Sequence, residues 1–348
     1  MKKTIGLDCI SRARGLLMGI ATLWVALYHS RFLDFTQSHW LTRLNLAETI
    51  NDIKAIGNAG VDLFLFLSGY GLYYAFAKNS SIRVFYARRF SRILPAMLIV
   101  TIIFYGWHGT DGVAEYLATN LHFALYHPEV DQREFWFFSL IIVLYLLYPL
   151  LHKAIQRFGF FGMVGLSALT VGAAFWLRGA NREYFEKVEI ALTRIPIFLA
   201  GIWIGKKSRE GVRLPAWLAG LSVIAAGACL IFVSRLPQPP DYEFLQRYFY
   251  FPLSILLALG IGVLNDIIPN NPVKRLIELV GTYSLEIYLI YEQLYLHMTH
   301  VYVTSDGVGL SYGAACFVTA MLLAFGLKKA AGIIAKTVWR PKSLGETA

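Results

Sequence analysis

Apolar runs roughly twenty residues long alternate along the chain with short polar connections rich in Lys and Arg. A helix rises 1.5 Å per residue, so a run of about twenty crosses a hydrocarbon core about 30 Å thick. The pattern predicts ten spans, at 14–33, 59–77, 93–108, 135–151, 159–177, 190–205, 215–234, 247–268, 276–297 and 311–327. The third and sixth are short for a crossing. The segment RLPQPPDYE at 235–243 cannot continue a helix through its prolines and reads as an outer loop. The expected fold is an all-α polytopic membrane protein. One transmembrane domain fills residues 1–340, and 341–348 form a short tail.

Composition agrees with this reading. Of 348 residues, 57% are hydrophobic and 16% charged, whereas soluble domains are about a quarter charged. The first apolar run is longer than the core of a signal peptide. It ends in YHSRF with no small-residue cleavage site, so it is expected to be retained. The net charge of +10 would suit a nucleic-acid binder, but its distribution argues otherwise. With ten spans, 22 of the 32 basic residues fall on one side, and the other side mixes its ten with acids such as Asp111 and Glu115. The positive-inside rule then places both termini in the cytoplasm. Topology accounts for the basic excess, and no nucleic-acid partner is implied. Cys9, Cys229 and Cys316 lie in no metal or redox spacing and read as buried small residues.

Several polar residues stand out against this apolar background. His29 lies near the end of the first span and Arg14 begins it, fifteen residues or about 22 Å below. A titratable group inside a membrane helix is costly and usually functional. Imidazole can accept and return a proton, and guanidinium can hold an anion. Asp62, sixteen residues from Lys78 on the returning span, comes out at a depth similar to His29 and is the candidate to orient it. In FYARRFSRILP (85–95), Arg88, Arg89 and Arg92 form a basic cluster suited to phosphates. Gly57, Gly60, Gly69 and Gly71 suit close helix packing. Glu286, near mid-membrane, is expected to face protein or a cavity. Glu292, His297 and His300 match no zinc spacing, and no metal site is expected.

These segments, in order, resemble the membrane acyltransferase family 3, the bacterial integral-membrane O-acyltransferases of cell-surface glycans. The matching pieces are the first-span Arg14 with Tyr28–His29, GNAGVDLFLFLSGY (57–70), ARRFSRILP (87–95), Trp136 to Pro149, and SLEIYL (284–289). The resemblance implies about ten helices and an acyl-coenzyme A donor from the cytoplasm, acetyl-CoA being the commonest. The acceptor would be a hydroxyl of a polysaccharide or lipid-linked glycan precursor at the outer face. It makes His29 the catalytic histidine, Arg14 the first-span arginine, and Arg89 with Arg92 the paired arginines linked to the donor. His29 would serve either as general base or as transient acyl carrier.

The chain departs from the family pattern in three places. The Arg14-to-His29 spacing is longer by about one helical turn. Ile141, Ile142 and Val143 stand where many members have Glu-Glu-Gln, and Tyr291 stands where the late segment often has His. The rival reading is a polytopic glycan flippase or exporter, which would translocate glycan without turning over acyl-coenzyme A.

Overall fold

The structure, a computed structural model, describes residues 4–30, 35–106, 113–114, 136–237, 243–302 and 309–338. Parts of the expected 235–243 loop, the 341–348 tail, Asp111, Glu115 and the side chains of Glu292, His297 and His300 lie outside the described residues.

The chain is a bundle of helices. After α1 (Cys9–Arg12) come α2 (Arg14–His29) and two short helices, α3 (His39–Arg43) and α4 (Ala47–Ala55). Then follow the long α5 (Ala59–Lys78) and α6 (Ile82–Tyr105). The second half holds α7 (Trp136–Ala180), α8 (Arg182–Leu192), α9 (Ile195–Arg209), α10 (Ala216–Ser234) and α11 (Glu243–Ile267). It closes with α12 (Pro272–Thr282), α13 (Ser284–Tyr302) and α14 (Gly309–Val338).

Local sequence sets several of these boundaries. Ser81, Asn181 and Asn271 each accept a backbone N–H at a helix start, and Pro272 follows Asn271 where a missing N–H costs nothing. Gly159, at φ 57° and ψ −128°, breaks α7 into two arms, close to the gap predicted between 151 and 159. Only glycine reaches that region without strain. The predicted span at 190–205 is broken at Thr193–Arg194, and that at 276–297 at Tyr283.

Among the described residues, six stretches are long and apolar enough to cross a membrane. They are Ala59–Lys78, Trp136–Ala180, Arg182–Arg209, Ala216–Ser234, Phe244–Ile267 and Ala314–Val338. Large apolar side chains such as Trp217, Ile224, Ile103 and Leu322 face outward, as lipid-facing residues do. Two short strands, β1 (Thr4–Gly6) and β2 (Arg213–Pro215), pair antiparallel with Ile5 opposite Leu214, an element the all-α expectation lacked. Three residues each are too few to leave a periodic signal. The strand pair and the Arg12 Nε–Asp266 Oδ1 bond of 2.9 Å gather the N-terminal segment, the start of α10 and the end of α11 at one end of the bundle. Cys9 packs there against Gly262. Burial, helped by the nearby Asp266 charge, pushes its thiol up to about 11, so it is a protonated packing group.

Small residues bring the central helices into backbone contact. A side chain at Gly69 would strike the Phe198 carbonyl of α9, and one at Gly201 the Phe66 carbonyl of α5. Gly60 meets the Ala21 carbonyl of α2, and Gly281 meets the Gly15 carbonyl of the same helix. Membrane helices associate by such close packing, not by a hydrophobic drive between them. Gly201→Val is therefore expected to push α5 and α9 apart at a cost of about 1–3 kcal/mol. Thermal unfolding of the purified protein in detergent, monitored by intrinsic fluorescence, checks this as a lowered midpoint.

Candidate functional site

A cavity of about 510 Å³ lies between α2, α5, α6, α7 and the α12–α13 pair. This is within the range of small-ligand sites. Helical periodicity explains its walls. On α5 the lining residues Val61, Phe64, Ser68 and Leu72 recur every three or four positions. On α6 one stripe brings Arg89, Arg92 and Ile93 to the cavity, while Phe85 and Ala96 on the same stripe are buried. Arg88, about 100° around from Arg89, is exposed and does not line it.

Three of the four arginines marked in the sequence therefore meet in one place: Arg14, Arg89 and Arg92. Gly71 makes room for the first. A Cβ there would lie 3.0 Å from Arg14 Nη1, so the guanidinium rests against the α5 backbone. This gives Gly71 a task beyond helix packing. Arg89 lies over the Phe85 ring at 5.8 Å, and its buried Nε has no hydrogen-bond partner among the described residues. Arg92 is bound end-on by the fully buried carboxylate of Glu286, Nη1 to Oε1 and Nη2 to Oε2, the latter at 3.0 Å. Glu286 thus faces protein at the cavity edge.

The middle of the cavity is mostly apolar. Its polar crossing is Ser68 Oγ with Tyr145 OH at 3.2 Å. Ile141, one of the residues standing where the family often has acids, contributes an aliphatic wall. The end away from the arginines reaches Val25 and Val61. His29 is four residues beyond Val25, one turn along the same face of α2. Its ring meets Tyr28 edge-on with centroids 5.2 Å apart. Tyr291, from α13, donates to the Ala26 carbonyl at 3.1 Å and lies 3.2 Å from Ser30 Oγ. The residue standing where the family often has His is thus fastened to the turn that carries His29.

Asp62 requires a correction. The depth count from Lys78 put it level with His29. The observed register sets Gly57 against Tyr28 and Trp24, and Gly60 against Ala21 and Val25. Asp62 is five residues past Gly57, about 7.5 Å deeper. Its carboxylate accepts from Arg194 Nε at 2.9 Å, both groups being buried. Arg194 also donates to the Ile190 carbonyl at 3.0 Å and stacks on Trp136 with Cζ 4.8 Å from the ring centroid. Beside it, Arg247 pairs with Glu189. Two acids and two arginines thus form a buried, formally neutral group next to the cavity. Sequence reasoning missed Arg194, Glu189 and Arg247. Arg194 offered a signal, being an arginine inside a predicted span, which is rare without a partner.

Among the described residues no group of three or more His, Cys, Asp or Glu is arranged to hold a metal ion. Compared with known families, residues 16–329 match the model described as "Acyltransferase domain" (Acyl_transf_3). No curated protein and no solved structure matches the chain.

Proposed function

The chain belongs to this acyltransferase family, and from that premise we propose that it transfers an acyl group, acetyl foremost, from acyl-coenzyme A to a hydroxyl of a cell-surface polysaccharide or its lipid-linked precursor. One observation supports this most. A single mostly apolar cavity has three guanidiniums at one end and stops one turn short of His29 at the other. Guanidiniums suit the phosphates of coenzyme A, and a mostly apolar cavity suits the pantetheine arm. The proposal includes ten crossings with both termini in the cytoplasm, one domain over 1–340, and an inner-membrane location that the glycan acceptor reaches from outside.

Arg14 and Arg89 hold donor phosphates, with Arg92 beside them and Arg88 adding charge at the approach. His29 takes the proton from the acceptor hydroxyl as that oxygen attacks the thioester carbonyl. The new C–O bond forms, the C–S bond breaks, and His29 returns the proton to the departing thiolate. Asp62 serves the site through Arg194, holding the wall beside the cavity.

The test is mass spectrometry of surface polysaccharide from cells with and without the protein. An alkali-labile ester present only with the protein is expected. If the ester pattern is unchanged and only glycan export fails, the protein is a transporter instead.

A further inference from the structure

Glu286 is the one fully buried acid that contacts a cavity-lining arginine among the described residues, and the mechanism above does not use it. A carboxylate taken wholly out of water is expensive unless paired and hydrogen-bonded. Here Arg92 supplies both, through two parallel bonds. Lys328 on α14 adds a third member. Its Nζ donates to the Thr282 carbonyl at 2.8 Å and sits 4.4 Å from the centre of the Tyr283 ring, within electrostatic reach of Glu286 and Arg92. The carboxylate therefore ties α6 to α13 at the edge of the cavity, while Lys328 holds α14 to the Thr282–Tyr283 turn beside it.

An arginine has five N–H donors in a rigid fork. Glu286 engages two of them and leaves three. An unheld Arg92 would sample many rotamers and give up that freedom on binding an anion. We propose that Glu286 is a positioning residue for the anionic donor: it fixes the plane of Arg92 so that the remaining N–H edge stands ready beside Arg14 and Arg89. This rests on the reading that the cavity takes a phosphate-bearing acyl thioester. A carboxylate that merely cancelled charge would do the opposite, and its removal would strengthen anion binding.

The experiment uses full-length protein in nanodiscs with two donors, acetyl-coenzyme A and the phosphate-free thioester acetyl-pantetheine. Wild-type protein should strongly prefer the first. If it uses both equally well, the phosphate reading itself fails, before any variant is made. With that preference in hand, Glu286→Gln is expected to raise KM for acetyl-coenzyme A about tenfold, equivalent to one charge-assisted hydrogen bond. The turnover number and the KM for acetyl-pantetheine should stay put. Arg92→Lys keeps a cation on Glu286 but loses the fork. It should show the same split, and it serves if Glu286→Gln folds poorly. Combining the two should be no worse than either alone. An unchanged or lower KM in these variants, or an equal rise with both donors, overturns the proposal.

Discussion

Replacing His29 by Ala is expected to lower acyl transfer by about two to four orders of magnitude, the usual contribution of a positioned general acid–base group. The protein should remain folded, because His29 is only half-buried in the last turn of α2. The turn itself is held by other groups. Ser30 Oγ bonds the Ala26 carbonyl at 2.9 Å, Tyr291 donates to the same carbonyl, and Trp24 Nε1 donates to the Ile53 carbonyl at 2.8 Å. Size-exclusion chromatography and thermal unfolding check the fold. Ester content of the glycan and thiol release from acyl-coenzyme A check the activity. A well-folded His29→Ala protein that retains full transfer would remove His29 from the mechanism.

The second large effect is on stability. Asp62→Ala should destabilise the protein by about 3–5 kcal/mol, because it strands the guanidinium of Arg194 in the interior. Arg194 is 1% exposed and is the largest fully buried side chain among the described residues. Its Nε would lose the carboxylate, and Nη2 already has no hydrogen-bond partner there. Pairing the change with Arg194→Met should recover most of the loss, since exchanging a buried ion pair for apolar groups is often neutral. Chemical or thermal unfolding in detergent measures Asp62→Ala, the double variant and Asp62→Asn. The same set separates two roles for Asp62. A carboxylate that oriented His29 would, on becoming Asn, lose activity while sparing stability. One that serves Arg194 loses stability first, and activity follows the folded fraction. Equal stability of Asp62→Ala and wild type would dismiss the pair as a structural element.

Much of the site could be read from residue type and spacing. Arg14 and His29 are one helix apart in depth by simple rise. Spacing grouped Arg88, Arg89 and Arg92 on one helical face, and Arg89 and Arg92 do reach the cavity, but Arg88 is exposed and does not, because the rotation of α6 against its neighbours turns it outward. The requirement that Glu286 face protein followed from the cost of charge in lipid. Its partner did not, because 194 residues separate it from Arg92 and nothing local joins them. The Asp62 depth failed for a related reason. Counting rise from a basic helix end assumes that all helices start level, whereas glycine contacts between α2 and α5 set the actual register.

By itself the sequence determined the membrane class, most helix positions and the residue types able to do acyl chemistry. Those depend on hydrophobic length, helical period and the price of burying charge, all of which act within one segment. Only the tertiary structure decided that Asp62 belongs to Arg194, that Glu286 belongs to Arg92, and that Gly71 gives Arg14 its seat. Which buried charge finds which partner depends on how helices far apart in the chain slide and rotate against one another. That choice is made by side-chain fit across the bundle, a property that no single helix carries.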